Sequence, residues 1–215
     1  MPRPRIHDQA TGELLLDAAA RLLHEGGPGA VSVRGVAEAS GLSFRAVYTV
    51  FGSKQALIDA LAARGYRSLT ERVAGVPTTE DPARDLVVAG SEGFRGFAIE
   101  EPALFRLTFE RVSREVLQQA TVVQAARASY DTLVSAISRA RDAGLVHPDR
   151  SDLTCAFQFH GLCQGLASGE LASQPAPGPG FWAMMRGHDM PATWRDALTG
   201  LVAGFAHPPE PGLAG

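Results

Sequence analysis

Phe44, Arg45, Tyr48 and Thr49 are side chains of the kind that bind rather than react, and they fall within six residues of one another. On a helix, residues three and four apart lie one above the other, so these four share one face. That face is basic, aromatic and hydroxylated. Val47 and Phe51, also four apart, point the other way, toward a core. A two-turn helix with so few apolar anchors is a poor structural strut. Its outer face has the chemistry to enter a DNA major groove, as the second helix of a helix-turn-helix does.

Residues that could react or ligate form weaker patterns. His160 and Cys163 stand three apart on one predicted helix, with Cys155 two turns earlier. No CxxC or HxxxH set completes a metal site. There is no Gly-rich phosphate loop, GxSxG or HExxH, and the carboxylates are spread along polar faces. No catalytic residue, metal or cofactor is expected. Eight residues on one helix separate the two cysteines by about 12 Å, too far for a disulfide.

Local signals explain how the short binding helix is held. Ser32 is a good N-cap, and Val33, Val36 and Ala37 follow at helical spacing. Gly41 can take the left-handed conformation that ends this first helix. Ser43 caps the next, Gly52 stops it, and Ser53 caps a third.

The rest of the chain reads as helices. One runs from about Asp8 to Glu25, with Leu15, Ala18, Ala19, Leu22 and Leu23 inward, and ends at Gly26-Gly27-Pro28. Residues 1–7 are a Pro/Arg arm whose Arg3 and Arg5 could track a phosphate backbone. A fourth helix, about 53–73, leads to a break at Gly75. Beyond it the spacing predicts helices over Asp81–Ile99, Ala103–Arg111, Arg114–Ala143, Asp152–Ala172 and Ala192–Ala206. The Pro/Gly-rich stretch 173–190, around Phe181-Trp182-Ala183-Met184-Met185, is a pocket lid, a dimer element or a mobile loop. No strand alternation persists. The expected fold is all-α, with about nine helices in two parts. Residues 1–74 form a three-helix DNA-binding head with its arm, the fourth helix linking it onward, and 75–207 form a helical bundle. A disordered tail, 208–215, follows.

Charge supports that division. The chain of 215 residues has a net charge of −3, but residues 1–73 carry a net of +2 and residues 74–215 a net of −5. A locally basic head on an acidic body suits a DNA reader. Lys54 is the only lysine among twenty basic residues. No run approaches the 18 apolar residues of a membrane span, so a soluble, cytoplasmic protein with no membrane partner is expected.

The run Ser32, Val33-Arg34-Gly35-Val36-Ala37, Gly41-Leu42-Ser43 and Val47-Tyr48-Thr49-Val50-Phe51-Gly52-Ser53-Lys54-Gln55-Ala56-Leu57 resembles the DNA-binding domain of tetracycline-repressor (TetR) type transcriptional regulators. Their pattern is a small hydroxyl residue, apolar-Arg-x-apolar-Ala, Gly-apolar-Ser, then apolar-Tyr-x-x-Phe-x-x-Lys-x-x-Leu. Val50 stands where the family often has His or Tyr, and Gly52 where it often has Pro or a basic residue. Glu101-Pro102-Ala103-Leu104-Phe105-Arg106-Leu107-Thr108-Phe109 and Phe159-His160-Gly161-Leu162 are similar to the ligand-binding and dimerisation domain of one TetR subfamily, which carries Asn/Asp-Pro-x-Leu-Phe and Trp/Phe/Val-His-Gly-Leu/Ile segments.

The resemblance implies a homodimeric repressor of a palindromic double-stranded DNA operator, released by a small hydrophobic or aromatic effector. By position it places Ser43, Phe44, Arg45 and Ala46 near base edges and Arg34 near a base or phosphate. Tyr48, Thr49 and Lys54 fall at phosphate contacts. Arg45 suits a guanine, and Phe44 or Ala46 a thymine methyl. Effector-contact candidates are Phe94, Phe97, Phe105, Phe109, Phe157, His160, Cys163, Gln164 and Trp182. Small residues on Asp152–Ala172, with Trp194 and Phe205 on the last helix, suit a four-helix dimer interface. The alternatives are a DNA-binding regulator that activates or lacks a functional pocket, and a helical small-molecule-binding protein or enzyme whose helix-turn-helix only packs.

Overall fold

Capping and glycine placement divide the chain into helices, and no strand occurs among the described residues. The computed structural model describes residues 5–110, 119–173 and 187–209. Its helices are α1 (Arg5–Ala30), α2 (Val33–Ser40), α3 (Phe44–Phe51), α4 (Lys54–Ala74), α5 (Pro82–Val88), α6 (Arg95–Glu100), α7 (Pro102–Phe105), α8 (Ala120–Asp142), α9 (Asp152–Ser173) and α10 (Met190–Gly204). They group into two compact units, residues 1–67 with 101–126 and residues 68–100 with 127–215.

In the first unit, α1 begins at Arg5, three residues before the expected start, so part of the expected arm is helical. Residues 1–4, and with them Arg3, lie outside the described residues. Gly27, at φ 68°, breaks the helix where the Gly-Gly-Pro signal predicts, and one further turn carries it to Ala30. Leu15, Ala18, Ala19 and Leu23 form its buried stripe. α2 and α3 pack on this helix, and so does α7. The segment 101–126 therefore builds onto the N-terminal helices. Ala62 and Ala63 of α4 pack with Val122 of α8, with Tyr66 and Ala125 at the margin. Arg64 bonds Asp17 at 2.6 Å.

Between α7 and α8 the chain makes a π-helical segment, Arg106–Glu110, instead of finishing the expected Ala103–Arg111 helix. The expected start of the long helix at Arg114 lies outside the described residues.

In the second unit, Asp81 caps α5 by accepting from the Arg84 amide at 3.0 Å. The expected Asp81–Ile99 helix is present but interrupted by a second π segment, Ala89–Phe94. Such bulges reset which side chains face inward. Gly90 occupies this bulge because a Cβ there would lie 2.6 Å from Leu198 Cδ1 and 3.0 Å from Phe159 Cζ.

Two buried carboxylates hold this unit's helices. Glu170 of α9 accepts from Arg95 Nη2 at 2.6 Å and from the Trp194 indole at 2.8 Å. Asp85 of α5 accepts from Thr79 and from Arg139 of α8. Burial alone would raise the Asp85 carboxyl, but the bonds from Thr79 and Arg139 outweigh it and hold the group below its ordinary range.

Trp194 and Phe205 are buried within this unit, at 0% and 2% exposure. Intrachain packing covers both side chains. The Trp194 N–H finds a carboxylate on α9, which satisfies a buried indole internally. The Phe181–Met185 segment lies outside the described residues, as do residues 210–215 of the expected tail.

Candidate nucleic-acid interface

Local serine caps start α2, α3 and α4. Ser32 Oγ accepts from the Gly35 amide at 3.0 Å, Ser43 Oγ from the Ala46 amide at 3.1 Å, and Ser53 Oγ from the Ala56 amide at 3.0 Å. Each satisfies an amide that a helix start leaves without a partner. Gly41 takes the left-handed conformation at φ 69° and bonds back to the end of α2. Arg21 Nη2 of α1 donates to the Ala39 carbonyl at 3.1 Å, which ties down that same end.

Val33, Val36, Ala37 and Val47 anchor the pair in the core, while Phe51 is half-buried. The opposite arc of α3 is open. Phe44 is 52% exposed and Tyr48 44%, and their rings meet edge to face at 5.0 Å. Ser43, Arg45, Thr49 and Lys54 are exposed, and Ala46 is half-buried. Thr49 Oγ1 donates to the Arg45 carbonyl at 2.9 Å. Among the described residues neither Arg45 nor Lys54 forms an ion pair. Arg34 does: its Nε lies 2.9 Å from Glu38 Oε1, and this hydrogen bond and charge raise the guanidinium above its ordinary range.

The α3 arc therefore offers the unpaired cation Arg45 and two aromatic rings, with a second unpaired cation, Lys54, at the start of α4. The positive end of the α3 dipole points out beside Phe44 and Arg45. Such a surface can meet phosphates with its cations and base edges with its first turn.

The expected effector residues are divided between the two units. Phe94 and Phe97 are buried in the second unit. Phe94 meets His160 at 5.8 Å and Trp194 at 6.4 Å, and Tyr130 meets His160 at 6.0 Å. Burial lowers the His160 imidazole and pushes the Cys163 thiol up, so both stay uncharged near neutrality. Gln164 is half-buried one turn on from His160. Phe105 and Phe109 belong to the first unit, where their rings meet at a tilt at 5.4 Å and Phe109 meets Tyr66 edge to face at 5.3 Å.

Phe157, another expected effector contact, is a surface residue. It is 71% exposed on the surface of α9, because that helix is apolar on both sides and its other face takes the core. Trp182 lies outside the described residues.

Two residues of the second unit are not among the expected site residues. Tyr130 was legible only as a core position. Ser91, buried in the π segment, has an Oγ with no hydrogen-bond partner among the described residues. A bulge has no periodic signature, so nothing in the sequence marks it. A groove of about 460 Å³ in the same unit, between α5 and α10, is lined by Ala83, Val87, Leu145 and Val202 with Asp81 and Arg84. It shares no residue with the expected set. No cluster of three metal-ligating side chains exists among the described residues, and no described helix is long and apolar enough to cross a membrane.

Residues 15–61 match the family model described as bacterial regulatory proteins, tetR family, and residues 87–207 match that of the Tetracyclin repressor-like, C-terminal domain. Solved structures with the same fold include a protein of unknown function from Rhodococcus sp. RHA1, at 22% identity and TM-score 0.76, covering 95% of this chain and 100% of that one. The TetR family transcriptional regulator PfmR from Thermus thermophilus aligns at 19% identity and TM-score 0.59, over 87% of this chain and 96% of its own. A TetR variant from Acinetobacter baumannii AYE, in complex with minocycline, aligns at 22% and 0.60, over 90% and 94%. No curated protein matches the chain.

Proposed function

The chain belongs to the TetR family of bacterial regulatory proteins, and from that premise we propose that it is a homodimeric repressor released from a palindromic operator by a small hydrophobic or aromatic effector. The single observation that carries this is the open arc of α3, with Phe44, Arg45, Tyr48 and Thr49 exposed and Lys54 beside it. Residues 1–74 act as the DNA-binding domain. Ser43, Phe44, Arg45 and Ala46 face base edges, and Arg34, Tyr48, Thr49 and Lys54 face the backbone. Two recognition helices enter major grooves about one helical turn, ~34–36 Å, apart.

Dimerisation is assigned to α9 and α10. Leu153 and Phe157 are exposed, and Gly161 and Gly165 continue the same four-residue stripe with open space above them. Gly200 and Gly204 leave similar room on α10. Small residues let two such helices approach closely.

Residues 75–207 also take the effector, around Phe94, Phe97, His160, Cys163 and Gln164. The aromatic-His-Gly segment at Phe159–Gly161 supports reading the chain as one of the subfamily that carries it. An effector releases DNA only if it binds the released conformation better than the DNA-bound one, with α4 carrying the change. The protein works in the cytoplasm.

In vitro selection with the full-length protein tests this reading. It should enrich a palindrome whose half-sites are about 10 base pairs apart. Failure to enrich any sequence, with no salt-dependent retention on heparin, would remove it.

A further inference from the structure

Position and chemistry on α3 narrow what its first turn reads. Ser43 is the cap, so Phe44 and Arg45 are the first two helical residues. That end of a recognition helix lies nearest the base edges. Ala46, the next residue, is half-buried. Thr49 has its hydroxyl proton committed to the Arg45 carbonyl. Phe44 and Arg45 are left as the side chains with free reach.

Phe44 is an apolar ring more than half exposed. Its edge-to-face contact with Tyr48, at 5.0 Å and 61° between ring planes, holds it in one orientation. Binding then costs little further side-chain entropy. In the major groove the four bases present donors and acceptors, and thymine alone adds an apolar group, its 5-methyl.

We infer that Phe44 is a specificity-determining residue that packs on a thymine 5-methyl, at a base step beside the guanine taken by Arg45. Each half-site then carries an adjacent thymine and guanine. This rests on the DNA-binding reading above and adds to it a base identity at one position.

The test uses the full-length protein and its selected operator, with each thymine replaced in turn by deoxyuridine, which removes only the methyl. One thymine per half-site should cost about fourfold in affinity when replaced, and replacing both symmetric copies about 15-fold. Phe44→Ala should bind the thymine and uracil operators equally, with an unchanged thermal unfolding transition that reports an intact head. The inference is overturned if the wild type tolerates uracil at every position, or if the thymine preference survives in Phe44→Ala. Wild-type affinity for the unmodified operator is measured first. Its absence would overturn the DNA-binding reading itself, which distinguishes the two failures.

Discussion

Arg34 Nε lies 2.9 Å from Oε1 of Glu38, one turn further along α2, and both side chains are largely exposed. A cation proposed to meet DNA is thus already paired on its own helix. Exposed pairs of this kind are weak and screened by salt, so a phosphate can displace the carboxylate.

Glu38→Gln should therefore tighten operator binding, by about two- to fivefold at low salt, because Arg34 no longer leaves a partner to reach the backbone. Arg34→Ala should weaken it. In a double-mutant cycle the gain from Glu38→Gln should vanish once Arg34 is alanine. Titration of labelled operator by fluorescence anisotropy checks all four proteins. Strict additivity would mean that Glu38 acts only through its general charge.

Packing under the head gives a stability prediction. A Cβ on Gly65 of α4 would lie 1.9 Å from Thr108 Oγ1, 3.1 Å from Thr108 Cβ and 3.3 Å from Leu104 Cγ. Gly→Ala within a helix ordinarily gains up to about 1 kcal/mol. Overpacking costs about 1–3 kcal/mol, and with three atoms inside contact distance it should win here. Gly65→Ala should lower the unfolding free energy by up to about 2 kcal/mol in urea titration. Thr108→Ala should restore much of it, since the Thr108 hydroxyl is buried without a partner among the described residues and its loss carries little penalty. A Gly65→Ala protein as stable as wild type would show that this approach is looser than the structure places it.

The exposed stripe on α9 carries the assembly prediction. Phe157→Arg puts a charge where two copies would meet, and because Phe157 is 71% exposed the fold of one chain should survive. Sedimentation velocity should find a monomer at concentrations where the wild type is dimeric. Operator affinity should fall sharply with unchanged circular dichroism. A dimer of wild-type strength would place the interface elsewhere.

What was legible in the sequence follows the range of the forces involved. The caps at Ser32, Ser43 and Ser53 and the turn at Gly41 depend on bonds within three or four residues, and the structure forms each of them. The open face of α3 follows from the same short-range geometry. The π segments do not, since Gly90 matters only because Leu198 and Phe159 arrive from distant helices. The exposure of Phe157 was not legible, because α9 is apolar on both sides and periodicity could not say which side the core would take. Trp194 needed Glu170, 24 residues away, before its burial made sense.

The α3 arc is the centre of the account, and paired salt titrations of Arg45→Ala and Lys54→Ala on the selected operator and on random duplex test it most directly. Arg45→Ala should cost about 1–3 kcal/mol on the operator, relax preference at one base pair per half-site, and bind random DNA almost as the wild type does. Lys54→Ala should weaken both duplexes alike and flatten the salt slope by about 2 for a dimer, one phosphate contact per subunit. Wild-type affinity and slope in both variants would contradict the assignment of this face to DNA.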